Sequence, residues 1–180
     1  MPVQGAFIFP HPPILLPEVG RGEERKIAAT AAACAQAAGR IAALKPDTVV
    51  ITSPHSAVYA DYFHISPGAS ASGHLGRFGA PSVRAEITYD TEMVEAVSRL
   101  AGERGIPAGT LGEKDSSLDH ATLIPLYFLQ KEYSGCRYVR IGLSGLDPLA
   151  HYKLGECIAA AADRLGRNCV MLASGDLWVT

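Results

Sequence analysis

Three histidines stand where predicted strands or helices end or begin. His11 and His55 each follow an apolar, strand-like run, residues 3–9 and 48–52, and each lies beside prolines that cannot extend a ladder. His120 precedes a largely apolar helical pattern. Because ligands of open α/β sheets bind outside the carboxyl ends of the strands, we expect His11, His55 and His120 to share one crevice.

Clustered imidazoles at a sheet edge favour a metal site over three unrelated structural histidines. Neutral imidazole is the commonest nitrogen ligand of iron, zinc and copper, so residue type leaves the metal open. Two histidines and one carboxylate form the facial arrangement of non-heme Fe(II) oxygenases, beside which a third histidine can act as base or hydrogen-bond donor. The candidate carboxylates are Glu18, Asp119 and Asp176, and no spacing selects one of them.

The remaining histidines and the cysteines are given structural interpretations. His64 falls in a predicted strand, His74 in a predicted loop and His151 early in a predicted helix, so we expect them to be structural or exposed. The four cysteines lie far apart without a C-x-x-C pair, which is typical of buried free thiols. The sequence also lacks a G-x-G-x-x-G loop, a P-loop, a G-x-S-x-G elbow and an H-E-x-x-H helix.

Strand and helix patterns alternate along the chain. Strands are predicted at 3–9, 48–52, 59–66, 83–88, 106–111, 138–143 and 168–173. Helices are predicted at 23–44, 91–103, 119–130 and 148–165, and loops at 10–17 and 67–81. The alternation predicts one α/β domain over residues 1–180, a three-layer α/β/α sandwich with a mostly parallel central sheet. Strands 3–9 and 48–52 form a βαβ unit and should run parallel.

Composition limits the classes of partner. Of the 180 residues 48% are hydrophobic and 19% charged, and the net charge is −2, which gives no basic footprint for nucleic acid. We find no apolar run of the roughly 18 residues that a membrane span needs, and no basic start of a signal peptide. We therefore expect a cytoplasmic protein that binds neither nucleic acid nor membrane.

Four motifs, taken together and in order, carry a family resemblance. They are Phe9-Pro-His-Pro-Pro, Ser53-Pro-His-Ser, Asp119-His-Ala-Thr-Leu-Ile-Pro-Leu and Ser174-Gly-Asp-Leu. The chain resembles the LigB-like catalytic chains of the class III extradiol ring-cleavage dioxygenases over nearly its whole length. Within that superfamily it looks like the domain attached to AmmeMemoRadiSam system proteins, with MEMO as a more distant relative.

The resemblance implies a fold, a cofactor and residue roles. It implies a three-layer α/β domain in which His11 and His55 are ligands of a non-heme Fe(II) and His120 is an active-site histidine near the substrate. A catechol-type aromatic diol would chelate the iron through both oxygens, O2 would take a neighbouring position, and a histidine would help to remove the diol's proton.

The pattern also departs from the family. Members usually continue Ser-Gly-Asp-Leu with Ser-His, which supplies a base, and then with elements that bring the carboxylate ligand, whereas here Trp178 follows and the sequence stops at Thr180. The resemblance thus predicts a truncated or remodelled LigB-like domain with weak or lost activity. From this we expect an exposed apolar face, and hence a homo-oligomer or a contact with a partner protein. Two alternatives stay open, a non-catalytic MEMO-like regulatory domain and a metal-dependent hydrolase that uses the same histidines.

Overall fold

The computed structural model describes residues 2–175, which build a four-stranded parallel sheet flanked by helices. The strands are β1 (Val3–Phe9), β2 (Thr48–Ser53), β3 (Phe63–His64), β4 (Ser70–Leu75), β5 (Ala80–Thr88), β6 (Ala108–Gly109), β7 (Arg137–Gly142) and β8 (Cys169–Ser174). The helices are α1 (Pro17–Gly20), α2 (Ala28–Leu44), α3 (Thr91–Glu103), α4 (His120–Glu132) and α5 (Pro148–Leu165). The predicted α/β class with a mostly parallel sheet is confirmed.

The central sheet has the strand order β1-β8-β2-β7, and each neighbouring pair is parallel. The expectation that β1 and β2 run parallel is confirmed, but β8 lies between them. Local pattern could not reveal this insertion, because the inserted strand lies near the other end of the described chain. All four strands still end at one edge, which brings the segments after β1 and β2 together.

Alternating side chains of the strands fill a core on each face of the sheet. Val49 and Ile51 of β2 point into the core beneath α2 and α4, whereas Val50 between them points into the core beneath α3 and α5. Every one of these three side chains is fully buried. A strand buried on both faces explains the uninterrupted β-branched run at 48–52.

The largest error of the sequence-based prediction concerns residues 67–81. The predicted loop contains β4, which pairs antiparallel with β5, and a short 3-10 turn at Gly76–Phe78 joins the two strands. Glycine, alanine and serine have little intrinsic preference for strands, so the pattern hid a strand whose Ala71 and Leu75 are buried in the core. His74 accordingly lies in β4 and not on a loop.

Two other predicted strands are shorter than expected. Only Phe63–His64 forms a strand within 59–66, and only Ala108–Gly109 within 106–111. These two segments pair with each other in parallel and make a small separate sheet. Beside them, Tyr59 and Ile65 form isolated bridges, and tyrosine hydroxyls accept from the backbone N–H groups of Leu111 and Glu113 in the loop that follows Gly109.

One helical segment, Glu23–Leu44, is long and apolar enough to cross a membrane by length and composition, with a mean hydropathy of 1.3. Core helices of globular domains pass the same test. This segment begins with a 3-10 turn at Glu23–Ile27 and continues as α2, which contributes Cys34, Ala38 and Ile41 to the core. The segment therefore gives only weak support for a membrane span, and a cytoplasmic location stays a prediction.

The edge of the sheet at β1 exposes apolar surface. Ile8 is 65% exposed, and its register partner on β8, Ala173, is exposed too. These two side chains form a small exposed apolar patch. The larger exposed apolar face, and with it an oligomer or a contact with a partner protein, stays a prediction. The four cysteines were expected to be buried free thiols. Cys34, Cys157 and Cys169 are free and buried, and Cys136 is free and half-buried.

Candidate metal centre and cleft

The three histidines singled out in the sequence meet at the carboxyl edge of the sheet. Ring centroids are 5.1 Å apart for His11 and His55, 5.5 Å for His11 and His120, and 4.3 Å for His55 and His120. One ring nitrogen from each lies within 4.8 Å of the other two. Two nitrogens bound to one metal at ~2.1 Å stand roughly 3–4 Å apart, so a small closure of this trio suits a metal ion.

His11 is held by Ser174, the last residue of β8. The Ser174 hydroxyl donates its proton to the carbonyl of Ala121 at 2.6 Å, so toward His11 it can only accept. The Oγ atom lies 2.9 Å from His11 Nδ1, which therefore carries the ring proton. This tautomer leaves the lone pair on Nε2, as metal-binding histidines require.

The loop that carries His55 is held by Ser53 at the end of β2. The backbone N–H of His55 donates to Ser53 Oγ at 3.1 Å, and that hydroxyl donates to Asp119 Oδ1 at 2.7 Å. Asp119 is also the N-cap of α4, whose first residue is His120, and accepts from Thr122 N at 3.0 Å. One carboxylate thus fixes the positions of two histidines relative to each other.

Arg140 of β7 lies behind this carboxylate and is almost fully buried. Its guanidinium donates to Ser66 Oγ at 2.7 Å and to the Ser117 carbonyl at 2.8 Å, and it stands 3.9 Å from Asp119 Oδ2. The last distance is an ion pair without a direct hydrogen bond. A buried cation needs a nearby anion, so Asp119 balances Arg140 as well as capping the helix.

A cleft of about 1380 Å³ opens in front of His55 and His120. Asp119 and Arg140 also line this cleft, together with residues of the β4–β5 hairpin and its connecting turn. The hairpin brings His74, Arg77 and Arg84 to the cleft, a group that the linear sequence did not reveal because it depends on the unrecognised strand β4.

Other candidates from the sequence are placed elsewhere. Glu18 is exposed and accepts from the Tyr127 hydroxyl at 3.3 Å, and Asp176 lies outside the described residues. His64 is buried in β3 with Nε2 bonded to the Glu113 carbonyl at 2.8 Å, and burial lowers its pKa, which fits a structural role. His151 packs edge-on against Phe63 and bonds to the backbone carbonyl of its own helix cap.

Sequence reasoning missed Ser53 and Ser174 as residues that orient the histidines. Both belong to motifs that carry the family resemblance, Ser-Pro-His-Ser and Ser-Gly-Asp-Leu. The available signal was a serine at the last position of a strand, as Ser53 is in β2 and Ser174 is in β8. Its meaning depends on the order β1-β8-β2, which places Ser174 beside His11.

Gly142 offers a test of how tightly the His55 loop is packed. A Cβ atom on Gly142 would stand 2.1 Å from the carbonyl oxygen of Ala57, so the loop after His55 must move in Gly142→Ala. We expect a loss of about 1–3 kcal/mol in the free energy of unfolding, together with weaker metal binding. Denaturant unfolding and metal titration measure the two effects.

Gly155→Ala is the matched control for this substitution. Gly155 lies in the exposed part of α5, and no atom of residues 2–175 stands within 4 Å of an added Cβ, apart from its chain neighbours and its own helix backbone. Alanine there should stabilise the chain by roughly 0.5–1 kcal/mol without changing metal affinity. Equal behaviour of the two variants would show that the loop at Ala57 is not tightly packed.

Comparison with known proteins agrees with the resemblance that the four motifs indicate. Residues 5–178 match the family described as the catalytic LigB subunit of aromatic ring-opening dioxygenase. The chain belongs to the LigB family. The histidine cluster of this LigB chain and its family together point to a metal cofactor.

Two curated relatives extend the comparison. Protein CA_C1420 of Clostridium acetobutylicum is 35% identical over 184 residues, which cover 98% of this chain and 39% of that protein. A MEMO1 family protein of Thermococcus onnurineus is 29% identical over 135 residues, 73% of this chain and 42% of that protein. The LigB chain thus spans about two fifths of the length of these relatives.

Proposed function

We propose that this LigB chain carries the histidine centre of a non-heme Fe(II)-dependent extradiol dioxygenase that cleaves catechol-type aromatic diols with O2. The observation that carries the proposal is the trio of histidines, one ring nitrogen of each lying within 4.8 Å of the other two, beside an open cleft. In this proposal His11 and His55 are metal ligands and His120 is the catalytic residue. Nitrogen ligands suit zinc and copper as well as iron, so the choice of Fe(II) rests on the family.

The protein's own groups support a division of roles. His11 is buried and its tautomer is fixed by Ser174, as suits a permanent ligand. His120 is half-exposed and borders the cleft, so it can reach a diol hydroxyl and accept its proton. A bound Fe(II) would supply the Lewis acidity that lowers the pKa of the diol and the electrons that activate O2.

Oxygen uptake tests the proposal directly. The chain is loaded anaerobically with Fe(II), mixed with catechol and exposed to air-saturated buffer in an oxygen electrode. Ring opening adds both atoms of O2 to the diol, so we expect one O2 consumed per catechol lost. His120→Ala should keep its iron and lower the rate by at least about 100-fold, the usual range for an acid–base group.

A MEMO-like non-catalytic role is the second candidate, favoured by the similarity to a MEMO1 family protein. It predicts no oxygen uptake, whether or not the chain holds a metal, and His120→Ala would then change nothing in the oxygen electrode. Metal-dependent turnover of a substrate in the absence of O2 would instead favour the hydrolase alternative.

A further inference from the structure

Phe78 is an exposed aromatic residue in the turn of a hairpin whose other large apolar side chains are buried. Leu75 and Ala80, on either side of the connecting turn, are 1% and 3% exposed, whereas Phe78 is 38% exposed. The turn closes at Gly79, whose φ of +75° suits glycine and few other residues. The fold thus presents an aromatic ring to solvent at a point where burial would have been favourable.

The exposed ring faces the histidine cluster. The centroids of Phe78 and His120 are 5.2 Å apart with the planes tilted by 58°. Among the described residues that line the cleft, Phe78 is the one with a benzene ring. It therefore adds an apolar aromatic surface to the cleft next to His120.

Backbone contacts fix the hairpin relative to His120. Leu118 N donates to the Ser72 carbonyl at 2.9 Å, and Ser72 N donates to the Ser116 carbonyl at 3.1 Å. A Cβ on Gly73 would stand 2.7 Å from the Leu118 carbonyl, so the two backbones are in close contact. Leu118 is two residues before His120, which makes the position of Phe78 over the cluster a fixed feature of the fold.

We propose that Phe78 is a specificity-determining residue that contacts the ring of an aromatic ligand held at the histidine cluster. The inference rests on the proposed function, since it assumes a metal-bound diol at that cluster. Paired aromatic rings prefer offset or edge-to-face contact, and such contacts add selectivity for a planar ring over an aliphatic chelator. Phe78 would thereby discriminate between ligands that bind the metal through the same two oxygens.

Phe78 has a simpler structural explanation, as a cover for one side of His120. In that case its removal would disturb the histidine and weaken every ligand of the metal to the same degree. If Phe78 contacts the ring of the ligand, its removal should lower the affinity only for ligands that have a ring. The two explanations are separated by comparing an aromatic and a non-aromatic chelator.

The experiment measures dissociation constants by calorimetry on the chain loaded with Zn(II), which binds imidazole and prevents turnover. The probes are catechol and acetohydroxamate, both of which chelate through two oxygens. We expect Phe78→Ala to bind catechol about three- to tenfold more weakly and acetohydroxamate equally well. Phe78→Leu keeps an apolar side chain of similar size and should bind catechol about twofold more weakly than the parent. Zinc content should not change.

Tyr152→Ala is the matched control, because Tyr152 is 68% exposed on α5 and does not line the cleft. It should bind both probes like the parent. The inference is overturned if Phe78→Ala binds catechol like the parent, if both probes weaken equally, or if Tyr152→Ala weakens catechol as much. A parent chain that holds no metal, or binds catechol no better with metal than without, would overturn the proposed function and this inference with it.

Discussion

Loss of bound metal is expected when His11 and His55 are both replaced by alanine. Fe(II) loaded anaerobically should remain at near one ion per parent chain after desalting and fall to background in His11→Ala/His55→Ala. Two of the three clustered imidazoles are then gone. Removing even residues that merely orient metal ligands costs 10–100-fold in affinity, so loss of two ligands should cost on the order of 100-fold or more.

Mass spectrometry of metal content makes this measurement, and His74→Ala provides the control. His74 lines the same cleft but does not belong to the cluster of three. Its ring nitrogen Nδ1 accepts a local hydrogen bond from the backbone N–H of Gly76 at 3.0 Å. If His74→Ala lost iron as the double variant does, or if the double variant kept it, the metal centre would lie elsewhere.

Most of the layout of this site was accessible from sequence because strand ends are local features. Pro10 and Pro54 stop the strands that precede His11 and His55, and Asp119 is a helix cap directly before His120. Each signal acts within a few residues, so the predicted positions agree with the structure. The rule that parallel strands present their carboxyl ends at one edge then brought the three histidines together.

Sequence reasoning failed where the structure depends on distant partners. β4 is a poor strand by composition and exists because β5 and the segment before α4 pair with its two edges. Hence the part of the cleft lined by Phe78, Arg77 and Arg84 was invisible from local pattern. The contact between Ser174 and His11 likewise joins residues 163 positions apart, and no periodicity encodes it.

The Asp119–Arg140 pair should make Asp119 one of the most important residues for stability in this chain. Asp119→Ala removes the cap of α4, the acceptor of the Ser53 hydroxyl and the anion closest to a buried guanidinium. Breaking one side of a buried ion pair typically costs about 3–5 kcal/mol, because the remaining charge stays buried without compensation. We expect a loss of this order in the free energy of unfolding, measured by urea denaturation.

Asp147→Ala measures the loss of a helix cap alone, without the loss of a partner for a buried arginine. Asp147 caps α5 in the same way, accepting from Ala150 N at 2.8 Å, but it is exposed and no buried arginine among the described residues depends on it. Loss of the Asp147 carboxylate should lower the free energy of unfolding by about 1 kcal/mol, the usual value for a helix cap. If Asp119→Ala cost no more than Asp147→Ala, Arg140 would not depend on Asp119.

Replacing both members of the pair tests whether the unbalanced charge causes the loss. In Asp119→Ala/Arg140→Met no buried cation is left without its anion, so the double variant should be more stable than Asp119→Ala alone despite carrying one more substitution. The polar groups of Ser66 and Ser117 that Arg140 contacts limit the recovery. Metal affinity should stay low in both variants, because Ser53, which holds the His55 loop, loses its Asp119 acceptor in each. The double variant would then recover stability but not metal affinity. This result would show that Asp119 balances the charge of Arg140 through one contact and positions the histidines through others.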